Sequence, residues 1–345
     1  MSYNGFSDFR SDTVTRPTPE MRKAMYEAEV GDDVFADDPT INKLEEIAAE
    51  KVGKEAALFV PSGTMGNTIA MVLCSGEGKE VIMEDKCHIL NFEAGNISRI
   101  AKALPRALPS ERGEIPIPLI RENIHMALRD HMPQTRAITL ENTHNTWGGA
   151  VLKPSYLKQV WDLSREYNLH MHLDGARVFN AATALGKDVK EITRYFDSLM
   201  FCLSKALCAP IGSILAGSKE FIKEARIVRK YLGGGMRQAG IVAAAGIIAI
   251  QKMTLRLHED HRRVKALAEK IADIEAIAID HEHIETNFLM VQLKTMDSST
   301  FLQKLEEKKV LALPFNKSLV RIVTHNDIDD EDVERAALAI RSVCS

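Results

Sequence analysis

Short apolar runs recur along the first two-thirds of the chain, at residues 56–60, 81–84, 136–141, 169–174 and 197–203. Each ends in a polar or small-residue cluster, as a buried strand does when it leaves a sheet. Between them apolar positions return every three to four residues. One such stretch covers 41–52, with Thr40 as its expected N-cap and Gly53 as its stop; a second follows Asn67 (Ile69, Ala70, Val72, Leu73), and a third covers 154–167 behind Pro154. Helix is also expected over 122–130. Strand and helix alternate from about residue 56 to 201, which predicts an α/β fold with a mostly parallel, doubly wound sheet.

The ends of the chain read differently. Residues 9–19 are polar, β-branched and proline-punctuated, which predicts an extended arm, with a short helix over 20–29 behind Pro19. Beyond residue 219 come helices expected at 220–232, 239–250 and 255–271, then strands at 288–293 and 319–323 with helices at 298–308 and 330–343. That last part is an α+β module of roughly a hundred residues, the size of a small domain. The expected division is an N-terminal arm and helix (1–32), a large domain (33–250) and a small C-terminal domain (251–345).

Composition narrows the partners. The 345 residues are 45% hydrophobic and 27% charged, with a net charge of −4. No basic field for nucleic acid or an anionic membrane is present, so neither is expected as a partner. The opening residues carry no apolar secretory run, and the five cysteines show no CxxC or metal-ligand spacing. Both features lead to the expectation of a reduced, cytoplasmic setting.

Candidate chemistry gathers at the ends of the predicted strands. Lys205 lies between the apolar run 201–203 and the small-residue stretch Ala209-Pro210-Ile211-Gly212. An apolar approach of that kind suits a nucleophilic amine. Pro61-Ser62-Gly63-Thr64 joins a strand to a helix, a shape that offers N–H groups to an anion or is simply a βα turn. Neither a GxGxxG nor a Walker pattern is present. His88 follows the strand at 81–84, His144 sits in a polar cluster after 136–141, and Asp174 ends the run at 169–174. A lysine, a carboxylate and an anion turn on one sheet edge are what pyridoxal phosphate requires.

Eight stretches carry a resemblance across nearly the whole chain. They are Arg10-Ser11-Asp12-Thr13-Val14-Thr15, Val30-Gly31-Asp32-Asp33-Val34 with Asp38-Pro39-Thr40, and Phe59-Val60-Pro61-Ser62-Gly63-Thr64-Met65-Gly66-Asn67. Next come Glu141-Asn142-Thr143-His144-Asn145, His172-Leu173-Asp174-Gly175-Ala176-Arg177 and Leu203-Ser204-Lys205 with Ala209-Pro210. Gly233-Gly234-Gly235-Met236-Arg237-Gln238-Ala239-Gly240 and Arg321-Ile322-Val323-Thr324-His325 complete the set. In these the sequence resembles the L-threonine aldolases, in the β-eliminating-lyase branch of the fold type I pyridoxal-phosphate enzymes.

The resemblance implies roles residue by residue. Lys205 matches the Schiff-base lysine, Asp174 the carboxylate at the pyridine nitrogen, and Gly63 and Thr64 the phosphate turn, with Ser204 adding a hydroxyl there. His88 matches the histidine stacked on the ring. Arg177 and Arg321 match the pair that binds the substrate carboxylate, with Ser11 assisting. His144 matches a histidine near the β-hydroxyl. Arg237, behind the triple glycine, is expected either to reach a phosphate across a subunit boundary or to cap a helix. Whether His88 or His144 takes the β-hydroxyl proton, directly or through water, stays open.

The implied activity is retro-aldol cleavage of L-threonine or L-allo-threonine, and other β-hydroxy-α-amino acids, to glycine and an aldehyde. The alternatives are β-elimination or racemisation on the same scaffold, or a non-catalytic cofactor-binding protein. A homotetramer built from dimers is the implied assembly. Phe35 stands where many relatives carry tyrosine, so one hydroxyl is missing from that loop. Trp147 is expected to narrow the pocket or to pack. No metal site is expected: the aspartates at 32–38 suit caps and turns, and the segments 258–261 and 281–283 suit solvated surface.

Overall fold

The computed structural model describes residues 5–126 and 131–344. In chain order its strands are β1 Ser7–Asp8, β2 Ala56–Val60, β3 Glu80–Glu84, β4 Leu104–Leu108, β5 Thr135–Glu141, β6 His170–Asp174, β7 Ser198–Cys202, β8 Ser213–Gly217, β9 Ile277–Ile279, β10 Phe288–Leu293, β11 Val310–Leu311, β12 Leu313–Pro314 and β13 Leu319–Val323. Among the described residues seven form the main sheet, in the order β2-β8-β7-β6-β5-β3-β4. β8 is antiparallel to both of its neighbours, β2 and β7, and the remaining pairs are parallel. The carboxyl ends of β2, β3, β5, β6 and β7 therefore share one edge.

Apart from the edge strand β4, the sheet is largely buried on both faces, which explains the mainly apolar character of β2, β3, β7 and β8. Ala57, Phe59, Leu199 and Phe201 pack into one core, while Leu58, Val60, Met200 and Cys202 pack into the other, as the two-residue period of a strand requires. A separate core lies between the antiparallel sheet β12-β13-β10-β9 and the helices Leu257–Lys270, Ser298–Glu307 and Asp330–Cys344. Phe9 belongs to this third core and is fully buried. β1 pairs in parallel with β11, and the Val323 N–H donates to the Phe9 carbonyl at 2.9 Å. From there the chain crosses to the main sheet, where the Thr15 hydroxyl donates to the Lys205 carbonyl at 2.8 Å. Among the described residues no single helix is long and apolar enough to cross a membrane.

Local expectations needed three corrections. Asp38, rather than Thr40, caps the helix Pro39–Val52, because its carboxylate accepts the N–H groups of Thr40 and Ile41 while Pro39 opens the first turn. The helix expected over 122–130 is instead Ile117–Glu122, with a proline in the first turn, where its missing N–H costs nothing; residues 127–130 lie outside the described residues. In the segment 258–261, expected at the surface, Asp260 and His261 are buried. Asp260 pairs with Arg256, and the His261 ring meets Asn180. Segment 281–283 is exposed, as expected. Strands β1, β9, β11 and β12 were too short to stand out from the apolar pattern.

Candidate active site

A cavity of about 350 Å³ opens at the shared edge of the main sheet. Lys205 reaches it from the loop after β7, Asp174 from the tip of β6, and His88 from the segment after β3. Gly63 and Thr64 form its wall at the first turn of the helix Gly63–Cys74, with Ser204 beside them. Ser62 caps that helix: its hydroxyl accepts the Met65 N–H, and its carbonyl accepts the Gly66 N–H. The N–H groups of Gly63 and Thr64 precede both, at the positive end of the helix. A Cβ at Gly63 would stand 3.0 Å from the Cys202 sulfur and 3.1 Å from the Met200 methyl, so the close approach needs glycine.

Carboxylates crowd the opposite wall. Asp174 is buried and accepts from Asn67 Nδ2 at 2.9 Å and from the Ala176 N–H at 3.2 Å. Glu141 lies beside it in register on β5, and accepts the His88 N–H at 2.7 Å and the Asn145 N–H at 2.8 Å. Glu93 sits 3.0 Å from His88 Nδ1. Burial pushes the Glu93 carboxyl up, with Asp174 adding to the effect and His88 and Asn67 opposing it. For the His88 ring, burial disfavours the charge, but Glu93, Asp174 and Glu141 outweigh it and hold the ring above its ordinary 6.5.

The two predicted arginines meet at one aromatic ring. Arg177 lies 4.8 Å and Arg321 5.4 Å from the Phe288 centroid. Arg177 is committed: Nε and Nη2 donate to the two oxygens of buried Asp12, at 2.7 and 2.6 Å. Burial opposes ionisation of Asp12, yet Arg177, with Lys205 and His325 beyond, holds the carboxyl down to about 2. Arg321 donates to Asn145 at 3.1 Å, and among the described residues no carboxylate lies within salt-bridge distance of it; its Nε is buried without a partner. Burial and the charge of Arg177 lower it to about 10. The guanidinium thus lacks an anion.

Neither arginine lines the cavity, and other predicted residues also stand apart from it. Ser11 caps the short turn Asp12–Val14, one residue from the arginine partner. His144 is fully buried, its Nε2 lies 2.9 Å from Glu84, and it does not line the cavity. Trp147 packs, donating to that same Glu84 at 3.1 Å, under the ammonium of Lys86. Arg237 is half exposed and paired with Asp32 at 2.9 Å, away from the cavity within this chain. Phe35 is exposed on the turn Asp33–Phe35. Sequence reasoning assigned no role to Asp12, Asn67, Glu93, Glu141, Asn145 or Phe288. Asp12, Asn67, Glu141 and Asn145 lie inside the stretches that carry the resemblance, whereas Glu93 and Phe288 have no local signal.

The chain matches the Beta-eliminating lyase family over residues 8–294. It is 44% identical to low-specificity L-threonine aldolase 1 of Arabidopsis thaliana, across 94% of this chain and 93% of that protein. It is 42% identical to the low specificity L-threonine aldolase of Escherichia coli strain K12, across 96% of this chain and 97% of that protein. Among solved structures, the threonine aldolase of Leishmania major superposes with a TM-score of 0.83 at 18% identity, covering 98% of this chain and 99% of that one. A putative L-allo-threonine aldolase of Listeria monocytogenes superposes with a TM-score of 0.81 at 20% identity, covering 98% and 96%. At such identities the structural likeness speaks for the fold alone, that of the fold type I pyridoxal-phosphate enzymes. Sequence, fold and the cavity at the sheet edge agree, and the chain belongs to the beta-eliminating lyase family.

Proposed function

We propose that this chain is a pyridoxal-phosphate lyase that cleaves L-threonine and L-allo-threonine to glycine and acetaldehyde. The observation that carries it is the lining of a single cavity by Lys205, Asp174, His88 and the first turn of the helix Gly63–Cys74. That donor set fits the cofactor: N–H groups at a helix N-terminus for a phosphate, a buried carboxylate for a pyridine nitrogen, and an amine for the aldehyde. Once bound, the cofactor supplies an electron sink for the pair left at Cα when Cα–Cβ breaks.

The chain's own residues do the rest. Lys205 would hold the cofactor through its Nζ, Ser204 would offer its hydroxyl to the phosphate, and Asp174 would keep a proton on the ring nitrogen. Arg321 takes the substrate carboxylate, and Arg177, fixed by Asp12, borders it. Holding that carboxylate orients the Cα–Cβ bond and so selects which bond breaks. His88 accepts the β-hydroxyl proton at Nε2, since Nδ1 is engaged with Glu93. His144 is held by Glu84 and does not line the cavity, so the proton is not assigned to it. A homotetramer in the cytoplasm belongs to the same proposal: exposed Tyr26, Phe35, Ile227 and Tyr231 favour association, and Arg237 is then placed to reach a neighbouring subunit's cofactor.

The test is steady-state turnover of L-threonine, L-allo-threonine and their D-forms, with products quantified. Glycine and acetaldehyde in equal amounts are expected. Pyruvate with ammonia, or a D-amino acid, as the main product overturns the reading. Lys205→Ala is expected to lose both turnover and the visible band of the bound cofactor.

A further inference from the structure

Behind Asp174 lies a hydrogen-bonded array that reaches the far end of β6. Asn67 Nδ2 donates to Asp174 Oδ2 at 2.9 Å and to Glu93 Oε1 at 2.8 Å. One amide nitrogen thus uses both of its hydrogens on two different carboxylates. Its oxygen, Oδ1, lies 3.2 Å from His172 Nε2. The other ring nitrogen of His172 lies 2.9 Å from the Ser198 hydroxyl, which also meets His170 Nε2 at 2.8 Å. Asn67 and His172 are both fully buried.

We propose that Asn67 is a positioning residue that clamps Asp174 and Glu93 in one geometry, and that His172 braces the clamp through the amide oxygen.

The chemistry permits one arrangement. An amide turned the other way would aim its oxygen at two carboxylates and its NH₂ at His172. The two carboxylates prevent this, and the oxygen they leave facing His172 is satisfied when the neutral ring carries its proton on Nε2. Burial, with the charge of His170 adding to it, keeps His172 neutral, its value pushed down to about 3. Glu93 also holds His88, so the carboxylate for the cofactor nitrogen and the histidine at the cofactor face share one anchor. The titratable groups that act on Asp174 are Glu141 on β5 and His144 just after it, Cys87, His88 and Glu93 after β3, and Lys205 after β7. None of these supplies the two-pronged contact that Asn67 makes.

The inference rests on pyridoxal phosphate occupying this cavity, and the test separates the two. Holoenzyme without substrate is titrated with pH, following the visible band of the bound cofactor, and the cofactor dissociation constant is measured alongside. Asn67→Leu removes both donors at similar volume. Its titration midpoint is expected to move by about one unit and its cofactor affinity to fall about tenfold or more, since it loses contacts to charged groups. His172→Leu leaves the Asn67 Oδ1 without its partner, so the amide is no longer braced from behind, and both readings are expected to move in the same direction. His172→Gln keeps a donor and an acceptor, and both readings are expected to return to within about twofold of wild type. Thermal unfolding is recorded for each variant. Should Asn67→Leu fail to fold, the His172 pair decides. An unmoved midpoint in folded Asn67→Leu, or equal shifts in His172→Leu and His172→Gln, overturns the clamp. Wild-type protein that takes up no cofactor overturns the underlying reading instead.

Discussion

Asp12 is the most informative single residue to remove. It is fully buried, and its carboxylate makes both hydrogen bonds of a bidentate pair with Arg177. Two magnitudes bear on Asp12→Ala. A carboxyl held at about 2 instead of its ordinary 3.8 is worth about 2 kcal/mol by linkage. Leaving a buried guanidinium without its partner typically costs about 3–5 kcal/mol. The second governs the variant, because a protonated Asp12 still hydrogen-bonds Arg177, whereas alanine offers nothing. Urea unfolding at neutral pH should therefore show a loss of about 3–5 kcal/mol, and Arg177→Met a loss of similar size. The double variant should be less destabilised than the sum, with a coupling of at least about 1 kcal/mol. Wild-type stability should also fall as pH drops from the unfolded-state value toward about 2, since a depressed carboxyl stabilises only while ionised. Strict additivity in the cycle would refute the pairing as a stabilising element.

Arg321→Lys keeps the charge but loses the planar fork; KM for L-threonine should rise about tenfold or more, with the cofactor band unchanged. A band that shifts with it would place Arg321 on the cofactor. Gly212 has φ +102, and a Cβ there overlaps the Phe59 ring, so Gly212→Ala should cost more than about 2 kcal/mol in denaturant titration. Gly186→Ala, at φ +61 with open space around it, should cost only about 1 kcal/mol. His88 is held above 6.5 chiefly by its neighbouring carboxylates, so kcat/KM should rise with pH through a midpoint above that value, and Glu93→Gln should lower the midpoint. An unmoved midpoint in Glu93→Gln assigns the titration to another group.

Legibility in the sequence followed the range of the interaction. Strands β2, β3, β5, β6 and β7 were readable because burial on both faces makes them short, mainly apolar runs ending in a polar cluster. Lys205, Asp174, His88 and the Gly63–Thr64 turn were readable because each stands at such an end. The pairing of Arg177 with Asp12 was not, since 165 positions separate them and nothing local in either stretch points to the other. Arg177 and Arg321 looked equivalent in the chain, and only the fold shows that one already has a carboxylate. His144 and His88 looked alike as candidate bases for the same reason: both follow strands, and side-chain burial, which separates them, leaves no mark on sequence spacing. The caps failed on a finer point. Asp38 and Thr40 are both good N-cap types, and Pro39 decides between them only once the helix is known to start there.

The origin of each group gives the site a division of labour. Every residue suited to the cofactor, Lys205, Asp174, His88, Gly63 and Thr64, comes from the main sheet edge. Arg321 comes from β13 in the C-terminal layer, as does the Phe288 ring on β10. The Asp12 that fixes Arg177 comes from the N-terminal segment, which is itself pinned to that layer through β1 and Phe9. Thr13, the next residue, reaches the cavity wall, and Thr15 binds the Lys205 carbonyl. The segment thus carries the position of the C-terminal layer to the lysine loop. Substitutions in β10, β13 and the segment should act on substrate affinity and on which bond breaks, while those on the sheet edge act on cofactor retention. In the proposed mechanism Lys205 would hold and release the cofactor without selecting the reaction. Selection would fall to Arg321, which among the described residues has no carboxylate partner, and to His88, held by Glu93.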